Sequence, residues 1–289
     1  MKPAPFRYIR VGSVDDAMSA LQAEEDAKIL AGGQSLIAMM NLRVVSPECV
    51  IDINRIAELD YIEEREDEVS IGALSRLNSV KASAIVGKYC PLLKEALELV
   101  ANKTVRNRGT IGGNICHADP ASEMPAVLIA SGASMVIRGA AGERTVEADD
   151  FFLGMYETAV EEKELLIEVR VPRVKKTTGS AIMEISSRKG DFGIAVVAAI
   201  VQIEDGICKH VRLVCTGVGA KAERILVAEE ILAGQKIDVD AISKAERIAY
   251  EAVDPQSDFH GDAIYRRELT EILTGRVLRL AAARAAGEV

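Results

Sequence analysis

The sequence contains no tryptophan, and phenylalanine and tyrosine together make up only 4% of its 289 residues. A substrate-binding cap rich in aromatic side chains is therefore not expected. The longest apolar run, Phe192 to Val201, falls far short of the roughly 20 residues that cross a bilayer. The first ten residues also lack the apolar stretch of a secretion signal. These absences predict a cytoplasmic protein with no membrane span.

Cysteine and clustered basic residues are scarce as well. There are five cysteines, an odd number, and no CxxC pair joins any of them: Cys49, Cys90, Cys116, Cys208 and Cys215. This pattern suggests neither a disulfide framework nor a zinc or other metal site. Lys and Arg total 35 against 44 Asp and Glu, which gives a net charge of −9. Because phosphate-rich surfaces are bound by clustered cations, nucleic acid and anionic membranes are not expected as partners.

The residue patterning predicts two domains. In the first, apolar runs and turn residues predict strands, helices and a hairpin before a long segment rich in Gly, Asn and Thr. The strands are Phe6–Arg10, Ala27–Ala31 and Val50–Ile53; the helices begin at Ser13 and Ser35 and cover Asn78–Val86 and Pro91–Ala101; the hairpin joins Tyr61–Glu64 to Val69–Gly72. The segment Asn102–Pro120 is predicted to be a functional loop.

A polar segment, Lys175–Gly179, ends this patterning and predicts a domain boundary. Three strands are predicted beyond it, at Ala181–Ser186, Ile194–Ile203 and Ile207–Cys215, with helices over the remainder of the chain.

Two adjacent glycines, Gly32 and Gly33, stand between the strand that ends at Ala31 and the helix that begins at Ser35. Glycine permits φ > 0 and lets a ligand approach main-chain N–H groups, and a helix start favours negative charge. The stretch therefore suits a phosphate. A plain tight turn explains it equally well when it is considered alone.

A second glycine pair, Gly112 and Gly113, lies inside the predicted loop, with Thr110 and Asn114 beside it. This stretch is predicted to be another paired-glycine turn with hydroxyl and amide side chains. Two anion-binding turns about 80 residues apart suit a ligand with two phosphates and a long body.

These stretches resemble the FAD-binding subunits of molybdenum hydroxylases, of the xanthine dehydrogenase and carbon monoxide dehydrogenase medium-subunit type. The resemblance spans most of the chain, and its segments are Ala31–Arg43, Arg106–Ser122, Phe152–Pro172 and Ser187–Ala195. It implies an α+β fold of the molybdopterin dehydrogenase and vanillyl-alcohol oxidase type. An FAD-binding domain would cover residues 1–176 in two subdomains that divide near residues 55–60. A smaller domain with a three-stranded sheet and helices would cover residues 177–289.

The resemblance also implies the residues that contact FAD. The pyrophosphate and adjoining ribityl atoms would be held by Leu30, Ala31, Gly32, Gly33, Gln34, Ser35, Leu36, Thr110, Ile111, Gly112, Gly113 and Asn114. Glu123 matches a carboxylate on the adenosine side, where relatives more often have Asp. Leu166 matches an apolar residue that packs on the flavin half, and Phe192 matches an aromatic residue beside the isoalloxazine ring. Core packing explains Phe192 equally well.

One position departs from the family pattern. Relatives commonly carry a Lys near the flavin at the position of Met183 or Glu184, depending on the register of the segment, and neither residue here is cationic. A missing cation would lower the flavin potential, or Arg188 or Lys189 would substitute for it.

Two other motifs suggest different chemistry. Gly217–Ala222 fits GxGxxA, with Asp238 about 20 residues further on, as in a nicotinamide dinucleotide site. The residues after its predicted helix lack a buried second strand, so a structural turn is favoured. The run Cys116–Asp119 contains a Cys and a His but no third metal ligand nearby, and a structural role is favoured.

The resemblance implies an electron-transfer oxidoreductase subunit in which the flavin carries the chemistry and no side chain acts as a general acid or base. Its partners would be an iron–sulfur small subunit with [2Fe–2S] clusters and a molybdopterin large subunit, in a dimer of heterotrimers, with NAD or another molecule as the electron acceptor. Two alternatives stay open, a free-standing FAD-dependent oxidoreductase and a non-catalytic nucleotide-binding regulator.

Overall fold

The N-terminal strands form a parallel sheet in a computed structural model that describes all 289 residues. The sheet consists of β1 (Arg7–Arg10), β2 (Ala27–Leu30) and β3 (Cys49–Asp52), with β3 in the middle. The helices α1 (Val14–Ala23) and α2 (Leu36–Asn41) connect the strands, and the hydroxyl of Ser13 caps α1 as the sequence predicts. Because parallel strands end at the same edge, the residues after β2 and β3 lie close together.

A five-stranded antiparallel sheet follows, in the order β4-β5-β10-β6-β7. Its strands are β4 (Ile62–Glu64), β5 (Glu68–Gly72), β6 (Ser134–Gly139), β7 (Gly142–Glu147) and β10 (Leu165–Pro172). A two-stranded ribbon, β8 (Phe152–Gly154) and β9 (Glu157–Thr158), precedes β10. The predicted hairpin is confirmed, since β4 and β5 pair antiparallel.

Seven short helices accompany this sheet. They are α3 (Leu77–Ala82), α4 (Ala84–Tyr89), α5 (Pro91–Leu99), α6 (Lys103–Arg108), α7 (Ile111–His117), α8 (Glu123–Ser131) and α9 (Ala148–Phe151). The prediction of a loop over Asn102–Pro120 is wrong, because this segment contains α6 and α7. Asn102 accepts a hydrogen bond from the Val105 N–H (3.0 Å) and Thr110 accepts one from the Gly113 N–H (3.1 Å). These two caps stabilise helices in a segment whose glycine content favours a loop.

The C-terminal part contains an antiparallel sheet covered by helices. Its strands are β11 (Thr178–Ser186), β12 (Gly193–Glu204), β13 (Ile207–Thr216) and the two-residue β14 (Glu223–Arg224), in chain order. The helices are α10 (Leu226–Leu232), α11 (Val239–Ala252) and α12 (Ala263–Ala286). The sheet therefore has a fourth strand, which is too short to be recognised from the residue pattern.

The nicotinamide dinucleotide interpretation of Gly217–Ala222 is wrong. These residues form the turn between β13 and β14, which pair antiparallel, whereas a dinucleotide-binding βαβ unit has parallel strands. Asp238 caps α11, where its carboxylate accepts a hydrogen bond from the Ala241 N–H (2.9 Å).

The buried side chains form three clusters. One lies between α1 and the parallel sheet. The largest lies among the five-stranded sheet, the helices α3 to α5 and α7 to α9, and one face of the C-terminal sheet. The third lies between the other face of the C-terminal sheet and α10 to α12. No helix combines the length and the apolar character needed to cross a bilayer.

Candidate cofactor-binding site

The loop between β2 and α2 presents a row of unpaired backbone donors. None of the N–H groups from Ala31 through Leu36 donates a backbone hydrogen bond within the chain. Gly33 has a φ of +71°, which L-residues rarely adopt, and it turns the chain within this row. Consecutive free N–H groups form a concave site for an anion. The loop has the donor set that a pyrophosphate requires.

Asn54 fixes this loop from the neighbouring strand end. Its amide Nδ2 donates to the carbonyl oxygens of Ala31 (2.6 Å) and Leu30 (3.3 Å) and to Oδ1 of Asp52 (2.7 Å). The Arg76 guanidinium donates to Oδ1 of Asn54 (2.8 Å) and to the Arg108 carbonyl (2.6 Å). Asn54 therefore connects the loop to the five-stranded sheet region through a positively charged side chain.

Two ionisable groups of this network have shifted pKa values. Burial and the neighbouring Arg108 lower the pKa of Arg76. Burial alone would raise the pKa of Asp52, but hydrogen bonds from Tyr8 and Asn54 outweigh it and lower that pKa. The Asp52 carboxylate is thus kept ionised as an acceptor for Asn54.

The two glycine stretches found in the sequence face each other. A Cβ atom on Gly32 would come within 2.8 Å of the Gly109 Cα, so only glycine lets the first loop lie against the residues before α7. A Cβ atom on Gly113 would lie 3.6 Å from the Ala31 Cβ. The structure brings the predicted residues around Ala31 and around Gly113 to one place.

The second stretch differs from its predicted conformation. Ile111 to Asn114 form the first turn of α7 and not a glycine turn. The N–H groups of Ile111, Gly112 and Gly113 donate to Ser75 O (3.0 Å), Ala73 O (2.9 Å) and Thr110 Oγ1 (3.1 Å). These donors are used within the chain, so the predicted paired-glycine turn is not formed here, while contact of this stretch with FAD stays a prediction. A Cβ atom on Gly112 would lie 2.7 Å from the Ala73 Cβ, which makes this glycine a packing requirement.

Glu123 lies at the start of α8, beyond the end of α7, and is only 4% exposed. The Ser122 hydroxyl donates to Asn114 Oδ1 (3.4 Å), which links this region to α7. Glu184 lies near Glu123, since burial and then the Glu184 carboxyl group raise the pKa of Glu123, while Met183 faces the C-terminal core. An extended FAD cannot place both its adenosine and its flavin at this one pair of carboxyl groups. The adenosine role of Glu123 and the flavin position of Glu184 therefore exclude each other.

Phe192 and Leu166 lie in contrasting environments. Phe192 is 62% exposed, so the alternative of core packing is wrong for this residue. A Cβ atom on Gly193, its neighbour in the chain, would lie 3.3 Å from Glu184 Cγ. Leu166 is buried on β10 in the largest core cluster. Arg188 forms an ion pair with Asp191 (2.9 Å) close to Phe192.

The run Cys116–Asp119 ends α7 and packs against the β8–β9 ribbon. The His117 ring lies 5.1 Å from the Tyr156 ring, centroid to centroid, and its Nε2 lies 3.9 Å from Asp119 Oδ2. Burial lowers the pKa of His117. These contacts are structural, as the sequence favoured.

Comparison with protein families gives two matches that together cover most of the chain. The profile of the family described as the FAD binding domain in molybdopterin dehydrogenase matches residues 4–174. The profile of the CO dehydrogenase flavoprotein C-terminal domain matches residues 180–281. The chain belongs to this flavoprotein family. It is an FAD-dependent oxidoreductase subunit of the molybdenum hydroxylase family, which excludes the regulator alternative.

Individual relatives of this flavoprotein subunit align over nearly its whole length. The carbon monoxide dehydrogenase medium chain of Hydrogenophaga pseudoflava is 41% identical over 287 residues, 99% of this chain and 100% of the relative. The glyceraldehyde dehydrogenase medium chain of Sulfolobus acidocaldarius is 36% identical, over 96% and 99%. A solved structure of the Hydrogenophaga pseudoflava carbon monoxide dehydrogenase matches with a TM-score of 0.96, 42% identity and coverage of 98% and 99%.

Two residues of the flavoprotein subunit's site, Asn54 and Arg76, were missed in the sequence. Neither belongs to a glycine motif, and 22 positions separate them in the chain. The only signal for Asn54 is its place directly after a buried strand whose edge also carries the first glycine pair.

Removing the Asn54 amide should weaken FAD binding while the fold is retained. Asn54→Ala leaves the Ala31 carbonyl without its fixed donor and frees the donor row to move. We expect FAD affinity to fall roughly 10-fold, the equivalent of about one to two hydrogen bonds. Titration of apo-protein with FAD by fluorescence quenching measures this. Asn78→Ala, on α3, is the matched control and should bind FAD as wild type does; an unchanged affinity for Asn54→Ala would contradict its role.

Proposed function

We propose that this subunit relays electrons through FAD between an iron–sulfur partner and a soluble acceptor. It would receive electrons from the [2Fe–2S] clusters of a small subunit, after substrate oxidation on a molybdopterin large subunit, and pass them to NAD or another acceptor. The bound FAD supplies the redox chemistry. The chain's own residues bind, orient and enclose it.

The unpaired donor row of Ala31 to Leu36 is the observation that carries the proposal. In this position the row would hold the FAD pyrophosphate, with Leu30 behind it and Gly113 opposite. Arg76 would add positive charge next to the phosphates without leaving its hydrogen bonds to Asn54. Asn114, which is half-buried, would line the opposite wall, and the buried residues Thr110, Ile111 and Gly112 would fix the position of that wall through their packing.

We place the flavin half of FAD toward Phe192 and Glu184. Phe192 is exposed and precedes Gly193, where a Cβ atom would lie 3.3 Å from Glu184 Cγ, so Glu123, a neighbour of Glu184, would face the flavin half and not the adenosine. Leu166 would support that half from the core below. An exposed aromatic side chain at this point would give electrons a route toward a partner subunit.

The scattered cysteines of this chain support placing the iron–sulfur clusters on another subunit. A [2Fe–2S] cluster needs four close-set thiolates or equivalent ligands, whereas the five cysteines here are scattered. We propose that this chain forms a heterotrimer with the small and large subunits, that two heterotrimers associate, and that the assembly works in the cytoplasm. The carbon monoxide and glyceraldehyde dehydrogenase relatives are likewise medium chains.

We further propose a domain boundary at residues 176 and 177, with two subdomains in the first domain that divide near residues 55–60. No sheet contains strands from both sides of either boundary. The first domain would bind the phosphates between its two subdomains, at the contact of Gly32 with Gly109. The C-terminal domain would complete the flavin end with Glu184 and Phe192.

Reduction and turnover assays test this function. We expect the purified chain to carry one FAD whose absorbance dithionite bleaches. The chain alone should hydroxylate no purine, nicotinate or aldehyde. Hydroxylation should appear only when the iron–sulfur and molybdopterin subunits are co-purified with it. Bleaching of the flavin by NADH would identify NAD as the acceptor.

Substrate turnover by the isolated, metal-free chain would overturn the relay. That result would favour the free-standing FAD-dependent oxidoreductase. A chain that purifies with FMN in place of FAD would contradict the pyrophosphate site.

A further inference from the structure

A buried carboxyl group, Glu123, and a half-buried one, Glu184, lie near each other in the candidate site. Glu123 comes from the first turn of α8, and Glu184 comes from β11 on the far side of the domain boundary. Glu184 pairs with Val196 in the sheet register and Val196 pairs with Thr216, whose hydroxyl donates to the carbonyl of Pro120, just before α8 (2.6 Å). The neighbouring Glu184 adds to burial in raising the pKa of Glu123. Two ionised carboxylates can only accept hydrogen bonds, so they cannot bond to each other without a proton.

The hydrogen-bond pattern of Glu184 points to that proton. Its Oε2 atom is inaccessible to solvent and has no hydrogen-bond partner among the protein atoms. A buried acceptor left without a donor costs about 1–3 kcal/mol or more, and such atoms are rare in folded proteins. A proton held between the two carboxyl groups would satisfy this oxygen.

Acidic and polar groups lie around the pair. Asp119 lies near Glu123 in the segment before α8 and adds to the increase in the pKa of Glu123, whereas the Ser186 hydroxyl on β11 donates to the Arg188 carbonyl (3.1 Å). The backbone at the start of α8 stabilises the ionised form of Glu123. His117 lies 3.9 Å from Asp119, and burial lowers its pKa. From β13, Thr216 donates its hydroxyl hydrogen bond to the Pro120 carbonyl (2.6 Å).

We propose that Glu123 and Glu184 hold one proton between them and that the subunit retains FAD tightly only while this proton is in place. The inference rests on the proposed position of FAD beside Phe192. With the proton, the pair carries one negative charge; without it, two adjacent negative charges face a cofactor that is itself an anion.

The raised pKa of Glu123 determines how stability and FAD affinity change with pH. Burial, with Glu184 and Asp119 adding to it, raises the pKa of Glu123 to about 8. Since this pKa is raised in the folded chain, the stabilising effect of the proton is complete below the unfolded pKa of roughly 4.3 and is lost as the pH rises through about 8. FAD affinity should fall over the alkaline part of the same range.

The first measurement uses the apo-protein and does not depend on FAD. In urea unfolding between pH 5 and 7, one retained proton makes the unfolding constant rise about tenfold per pH unit. Glu123→Gln and Glu184→Gln each replace the shared proton by a permanent amide donor, so either variant should remove this contribution. Glu230→Gln, on the exposed face of α10, is the matched control and should retain the wild-type slope.

The second measurement is the FAD dissociation constant of the same proteins at pH 6.5 and pH 9. We expect wild type and Glu230→Gln to bind FAD about fivefold more weakly at pH 9, as when bound FAD raises a pKa of about 8 by one unit. Both Gln variants at the pair should show the same affinity at the two pH values.

Each outcome separates the claims. If the Gln variants keep the wild-type stability slope, the shared proton does not exist. If they lose that slope but wild-type FAD affinity does not change with pH, the proton exists and has no effect on the cofactor, which overturns the second half of the proposal. If the wild-type chain binds no FAD at either pH, the proposed function fails while the stability result still decides the shared proton.

Discussion

Gly33→Val is expected to abolish useful FAD binding without unfolding the chain. Gly33 has a φ of +71°, and a valine there would be driven toward negative φ, which turns the N–H groups of Gln34 and Ser35 away from a common point. Loss of two charge-assisted hydrogen bonds at about 1.5 kcal/mol each weakens binding on the order of 100-fold. The FAD content of the purified protein and a fluorescence titration measure the change.

The fold should tolerate this substitution. A Cβ atom at Gly33 would lie 3.1 Å from the side-chain tips of Leu30 and Ile37, which can move. The strain of about 1–3 kcal/mol is smaller than the stability of a typical protein. Gly206→Val is a matched control, because Gly206 has a φ of +74° and open space around it in the turn between β12 and β13. If both variants lose FAD equally, general destabilisation explains the result and the loop assignment is wrong.

Arg266→Ala is expected to be the most destabilising single change in the C-terminal domain. Arg266 lies in the first turn of α12 and is 7% exposed. Its guanidinium donates to the carbonyl oxygens of Ile194 (2.6 Å) and Gly217 (2.8 Å) and to Asp258 Oδ2 (2.8 Å). Removing the guanidinium leaves these acceptors unpaired, which should lower the free energy of unfolding by about 3 kcal/mol.

Urea unfolding followed by circular dichroism measures this loss. The next residue, Arg267, provides the control, since it contacts only Asp254, at 3.3 Å, and that carboxylate is 90% exposed. Arg267→Ala should cost less than about 1 kcal/mol. Equal unfolding free energies for the two variants would show that Arg266 does not anchor α12.

The sequence predicted the elements whose signals are local. Ser13 caps α1, the β4–β5 hairpin surrounds its charged turn, and the first glycine pair lies where the half-buried strand β2 ends. Each of these features depends on residues within a few positions of one another. The same local reasoning failed at α7, where a threonine cap and packing against Ala73 determine the conformation of two glycines.

The rest of the site depends on contacts between distant segments. The hydrogen bond from Arg76 to Asn54 and the pairing of Glu123 with Glu184 join residues that have no common sequence pattern. Exposure also could not be read from the sequence, because Phe192 directly precedes an apolar strand and still lies on the surface. Tertiary structure alone determines these features.

The position of β10 constrains the order in which the cofactor-binding half can fold. β10 is the last strand of the five-stranded sheet in the chain but occupies its centre, between β5 and β6. The hairpins β4–β5 and β6–β7 form from local pairing, yet they share no hydrogen bonds until β10 joins them. Such long-range pairing is slow, and the sheet can close only after the chain up to Pro172 has emerged from the ribosome. The wall that supports α7 is therefore completed late in synthesis, and FAD can be captured only after that step.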